Sequence, residues 1–150
     1  MGNARKTVLR LLTRLENSGS YSNILLDEGL ERSELSPQDK KFAAALFYGV
    51  LERQITLDNI IREYSRNPKN KLGTEVRVIL RMGLYQLLYM DSVPDNAAVD
   101  ESVKLAKKNR NPAASGFVNA MLREFIRNDK KLPKGRNATE ELSIEYSAPV

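Results

Sequence analysis

Residues 74–90 read TEVRVILRMGLYQLLYM. Val76, Leu80, Leu84, Leu87 and Leu88 recur at the three- and four-residue intervals of one helix face. This is the most apolar segment of the chain, and a strongly apolar helix belongs inside a domain, where its sides find partners. It is therefore placed at the centre, and the other segments are read as packing around it.

Moving outward, RNPKNKLG (66–73) is the most loop-like stretch, and Thr74 is expected to cap the central helix. On the other side, Val93-Pro94-Asp95 turns the chain into a helix over 95–109 carrying Val99, Val103 and Ala106. Asn111-Pro112 is expected to open a last strong helix reaching about Arg127. Its core is ASGFVNAMLRE (114–124), where Phe117, Val118, Met121 and Leu122 form the apolar face and Asn119 interrupts it. A buried amide without a partner costs roughly 1–3 kcal/mol. Asn119 is accordingly read as bonding to the end of a neighbouring helix, brought close by Gly116.

Toward the N-terminus, the spacing predicts a helix over 4–16 with Val8, Leu11, Leu12 and Leu15 inward, and a second over 21–31. Ser36-Pro37-Gln38-Asp39 is a start signal: a capping hydroxyl, a proline suited to the first helical position, and an acid in the first turn. The helix that follows is expected to break near 54–56. Thr56 would then cap a short helix bearing Leu57, Ile60, Ile61 and Tyr64. The sum is an all-α bundle of about seven helices, divided by the 66–73 loop into two packed sub-bundles around one core. Residues 130–150 hold two prolines, scattered charges and few apolar side chains, so 1–130 is read as the folded domain and 131–150 as a linker or tail.

The chain of 150 residues contains neither cysteine nor histidine. Disulfides, thiolate chemistry, haem ligation and nearly all zinc sites are thereby excluded. No nucleotide-binding glycine motif is present and no carboxylate pair stands out, so no catalytic residue is assigned. No apolar run approaches the 18 or so residues of a membrane span, which points to the cytoplasm.

Charge carries the functional signal. The net charge is +5, distributed unevenly. Residues 21–40 hold five acids against two bases, whereas residues 101–136 hold ten bases against three acids. Such asymmetry suggests a side that faces a polyanion. Lys6, Arg10 and Arg14 lie at i, i+4 and i+8, so they share one flank of the first helix, a row able to follow phosphates. Arg77, Arg81, Tyr85 and Tyr89 repeat at four-residue spacing on the central helix. Burial there favours carboxylate partners for Arg77 and Arg81 over a nucleic-acid role.

Four pieces together resemble a known family: NARKTVLRLLTRLE (3–16), LSPQDKKFAAALFYGVLER (35–53), VRVILRMGLYQLLYMDSVPDNAAVDESVKLAKK (76–108) and SGFVNAMLRE (115–124). In this order they are similar to the NusB-like all-helical RNA-binding domain. They are most similar to that domain as found at the front of bacterial ribosomal RNA small-subunit methyltransferase B, the Sun/Fmu family. Asn96 stands where that family commonly has histidine, and Asp100 where it commonly has asparagine.

The resemblance implies a role in docking 16S ribosomal RNA for a catalytic methyltransferase domain in cis. That domain would use S-adenosylmethionine and a cysteine nucleophile, and neither a cofactor motif nor a cysteine is present in this chain. Under this reading Lys6, Arg10 and Arg14 contact phosphates, joined by Arg5, Lys40 and Lys41. Lys104, Lys107, Lys108 and Arg110 form a second basic patch. Gly116, Phe117, Asn119 and Arg81 are structural. Two alternatives stand beside it: a free-standing NusB-type antitermination factor, and an intramolecular scaffold that touches RNA little.

Overall fold

The computed structural model describes residues 2–19, 22–65 and 72–132, and within them the chain forms seven α-helices and no strand. The helices are α1 (Gly2–Ser18), α2 (Ser22–Arg32), α3 (Pro37–Glu52), α4 (Gln54–Tyr64), α5 (Thr74–Tyr89), α6 (Asp95–Ala106) and α7 (Ala114–Arg127). Helix α5 buries Val76, Val78, Ile79, Leu80, Met82, Leu84 and Leu87, so apolar groups cover most of its circumference. It packs against α1, α3, α4, α6 and α7, which makes it the hub. Around it α1 packs on α2 and α3, α6 packs on α7, and α4 packs mainly on α5 itself, with a single continuous core joining them all.

Two glycines let helices approach α5, or α5 approach them, closely. A β-carbon on Gly49 of α3 would fall within the ring of Tyr85 on α5. One on Gly83 of α5 would lie 2.8 Å from Ser102 Oγ and 2.9 Å from Leu122 Cδ1, so α6 and α7 both close on that point. Arg81 is buried at 5% exposure and is held by Asp58, with Nε–Oδ1 at 2.7 Å and Nη2–Oδ2 at 3.0 Å. Glu16 lies 3.7 Å from the same guanidinium and 3.4 Å from Arg77, so α1, α4 and α5 meet at one ionic cluster.

Several helix ends differ from expectation. Ser36 does cap α3, accepting from the Asp39 amide at 3.1 Å. Thr74, however, is the first helical residue of α5, and Gly73 holds the cap position with extended backbone. Thr56 is fully buried within α4, and the break from α3 falls at Arg53. Asn111-Pro112 forms a turn in which Asn111 Oδ1 accepts from the Ala113 amide at 3.0 Å, so α7 begins only at Ala114. Likewise α6 stops at Ala106, three residues short of expectation.

The reading of Asn119 also changes. Its Oδ1 accepts from Arg123 Nε on the same helix at 3.0 Å, and it makes no direct bond to a neighbouring helix among the described residues. Arg123 in turn lies 3.9 Å from Asp100 on α6, so the link between helices runs through the arginine. Gly116 is exposed, and a β-carbon there would meet nothing within 4 Å, so it brings no helix close. Phe117 is half-buried against the core. The expected 131–150 tail lies outside the described residues except for Lys131 and Leu132, as does most of the 66–73 loop.

Candidate functional site

Helix α1 is fixed by its inner face: Ala4, Val8, Leu11 and Leu12 are buried where α1 packs on α2, α3 and α5. That orientation leaves Lys6, Arg10 and Arg14 exposed on the opposite flank. None of the three forms an ion pair with another described residue. Helix α6 ends nearby. Its last carbonyls accept from the amides of Lys107, Lys108 and Asn109, and basic residues there are favoured by the helix dipole. Asn109 Nδ2 donates to Glu75 Oε1 on α5 at 2.8 Å, pinning the segment that carries Lys108.

These two elements enclose a groove of about 520 Å³. Lys6, Arg10, Arg14 and Lys108 stand around it with Asn17 and Ser18, and Leu9 and Leu105 supply its apolar part. Thr13 also lines it, and the Thr13 hydroxyl oxygen is enclosed with no hydrogen-bond partner. Glu75 is the one carboxylate among the lining residues, and its Oε1 is engaged by Asn109. Lys6 and Lys108 converge closely enough that Lys6 pulls the Lys108 ammonium below the ordinary lysine value, first by side-chain contact and then by charge repulsion. Two neighbouring ammonium groups make this end of the groove electropositive.

The remaining residues read from sequence are dispersed. Arg5 does not join the outer flank: it is 4% exposed, its Nε donates to Gln86 Oε1 at 2.7 Å, and its guanidinium lies 4.9 Å from the Phe42 ring centroid. Burial pulls Arg5 below the ordinary arginine value, with Glu101 acting in the opposite sense. It is therefore a core residue and not a phosphate contact. Lys104 pairs with Glu101 at 3.1 Å. Lys107 and Arg110 are exposed beyond the groove without lining it, and Lys40 and Lys41 sit on the early turns of α3, also outside its lining. Leu9, Thr13, Asn17, Glu75 and Leu105 were not singled out from sequence. The signal for three of them was available, since Leu9, Thr13 and Asn17 follow the Lys6–Arg10–Arg14 row at helical spacing.

Among the described residues no group of acidic side chains could hold a metal ion, and no helix is long and apolar enough to cross a membrane.

Comparison with known proteins agrees with this architecture. The NusB family model matches residues 2–127. A probable ribosomal RNA small subunit methyltransferase B from Synechocystis sp. is 37% identical over 99% of this chain, but the match takes in only 34% of that protein. The chain thus spans about a third of the length of that curated relative. The transcription antitermination protein NusB of Ruminiclostridium cellulolyticum is 33% identical, with 91% of this chain and 94% of that protein covered. A chain in a crystal structure of antitermination factors NusB and NusE in complex with dsRNA superposes with a TM-score of 0.76 at 24% identity, covering 85% of this chain and 96% of that one. The chain belongs to the NusB family.

Proposed function

We propose that this chain is an RNA-docking NusB-type domain of a ribosomal RNA small-subunit methyltransferase. It holds 16S ribosomal RNA in the cytoplasm for a catalytic domain in cis that methylates cytosine at carbon 5 with S-adenosylmethionine. Residues 1–130 form the docking body, and residues 131–150 lead toward the catalytic region. The observation that carries the reading is the convergence of Lys6, Arg10 and Arg14 of α1 with Lys108 around one groove that has a single, already engaged carboxylate. The identity to the Synechocystis methyltransferase over nearly the whole chain supports the ribosomal assignment.

Lys6, Arg10, Arg14 and Lys108 contact phosphates directly. Lys104, Lys107 and Arg110 extend the positive field along one side, and Lys40 and Lys41 contribute at longer range. Phosphate contacts position an RNA without reading its sequence. Four neutralised phosphates make binding about a hundredfold weaker at 200 mM than at 50 mM salt. Titrating 16S RNA fragments at the two salt concentrations tests this. Changing Lys6, Arg10 and Arg14 to Glu should nearly abolish binding, and retention of affinity by that variant overturns the reading.

The near end-to-end match to an antitermination protein supports a second reading, a free-standing NusB-type factor. Binding measurements separate the two: a preference for a NusE-type partner over 16S fragments favours the second.

A further inference from the structure

At the C-terminal end of α5 the surface changes character. The run from Met82 to Pro94 contains no lysine or arginine and a single acid, Asp91. Tyr85, Leu88, Tyr89 and Met90 are only half-buried there. The Tyr85 and Tyr89 rings lie 5.1 Å apart, and the Arg53 guanidinium lies 4.9 Å from the Tyr89 ring centroid, which brings the start of α4 to the same place. Two residues on from Arg53, Ile55 is 42% exposed. We propose that this face, Ile55 with Tyr85, Leu88, Tyr89 and Met90, is the seat on which the catalytic domain in cis packs. This rests on the methyltransferase reading above and names the surface that holds the RNA-docking bundle to that domain.

The chain leaves the bundle beside this face. Lys130 Nζ donates to Asp95 Oδ1 at 2.9 Å, so the segment after α7 is tied to the first residue of α6. The Val93 amide donates back to the Met90 carbonyl at 2.9 Å, which folds Met90 and the approach to α6 into one tight turn. Leu132, two residues past Lys130, is 40% exposed; it and Ile55 are two of the three large apolar side chains that stand open among the described residues. Whatever follows the bundle thus begins close to the apolar face, and a short connection closes at little entropic cost. The Synechocystis methyltransferase matches this chain over only 34% of its own length, so most of that relative is available to supply such a neighbour. The chemistry fits a protein better than RNA. Aromatic residues and methionine are enriched at protein interfaces, whose cores are depleted of charge. A polyanion instead needs cations to replace its counterions, and the cation that reaches this face, Arg53, lies over a tyrosine ring.

The test compares hydroxyl-radical footprints of this chain and of the full-length protein that continues beyond Val150. Tyr85, Tyr89 and Met90 should be oxidised about fivefold more slowly in the full-length protein, because the core of an interface excludes water. Phe117, at the start of α7, should be oxidised equally in both. Ile55→Lys changes a side chain already open to water, so circular dichroism should show this chain still folded. In the full-length protein the same substitution should recover much of the lost oxidation at Tyr85 and Tyr89. Equal oxidation of the three residues in the two proteins, or protection of Phe117 instead, overturns the inference. The methyltransferase reading then still stands if the full-length protein methylates 16S fragments. Protection of the same three residues in this chain alone also overturns it: in favour of a second copy if the protection grows with protein concentration, and of RNA if it needs added 16S fragments. A gene that encodes no catalytic domain after Val150 removes the methyltransferase reading and this inference together.

Discussion

Thr13 is a residue whose energetics can be read without reference to any ligand. Its hydroxyl is enclosed and unpartnered, so the folded state bears a desolvation cost that the unfolded chain avoids. Thr13→Val removes that cost at constant shape and should raise stability by about 1 kcal/mol in urea unfolding. Lys108 makes a comparable argument through charge. Its value is lowered in the folded chain, so the unfolded chain binds the proton more tightly, and stability rises with pH across the window just beneath the ordinary value of 10.5. Lys108 is exposed and solvent screens the repulsion, so Lys108→Gln should raise the melting temperature at pH 7 only slightly, and the difference from the parent chain should vanish above pH 10.5, as a pair of thermal melts would show. The charged residues of α1 mark what the sequence could reveal. Lys6, Arg10 and Arg14 were legible because their common flank follows from helix geometry alone. Arg5 was not, because its burial depends on Gln86, 81 residues away, and on the ring of Phe42. Nor was the groove, since Leu105 and Lys108 arrive from the end of α6 and the turn that follows it.

Between elements, α4 is held to α5 by the fork of Arg81 on Asp58. Removing one partner of such a pair leaves a charge without compensation, and fully buried cases cost about 3–5 kcal/mol. Asp58 is about one-third exposed, with a side-chain accessibility of 31%, and Glu16 stands by at 3.7 Å, so screening and substitution both soften the loss. Asp58→Ala should cost roughly 2 kcal/mol, measured by chemical denaturation. Gly49 tests the α3–α5 contact differently. A β-carbon there falls within the ring of Tyr85, so Gly49→Ala must displace the ring or part the helices, at about 1–3 kcal/mol. The seven helices themselves were legible, since each carries its own apolar period, and the most apolar segment did prove to be the hub. Their ends were read less well. Thr74 and Thr56 are good capping residues by chemistry, yet Gly73 takes the first cap and Thr56 is drawn inside α4. Local capping preferences are worth about 1 kcal/mol. Burying Leu57, Ile60 and Ile61 on one face of α4 is worth several times that, and the packing decides where the chain breaks.

For the whole molecule, the question is whether the positive groups act as one surface or as separate patches. Geometry divides them. Lys6 and Lys108 abut across the boundary between α1 and the end of α6, while Lys40 and Lys41 sit on α3 outside the groove. Two cations that share one phosphate are coupled, because losing either leaves the other to hold it with poorer geometry; cations on separate phosphates contribute independently. Mutational effects in contact couple by about 0.5–3 kcal/mol, whereas those at distant sites add within a few tenths. A double-mutant cycle on RNA affinity with Lys6→Gln and Lys108→Gln should therefore show coupling of at least about 0.5 kcal/mol. The matching cycle of Lys6→Gln with Lys41→Gln should close to near zero. The parent chain should also have the steeper salt slope, with the Lys6/Lys108 double variant losing less than two unit steps if both bind a single phosphate. Additivity in both cycles would mean that the two halves of the bundle meet RNA at unrelated points. The junction of α1 with α6 would then be a packing outcome and not the place where the domain grips its ligand.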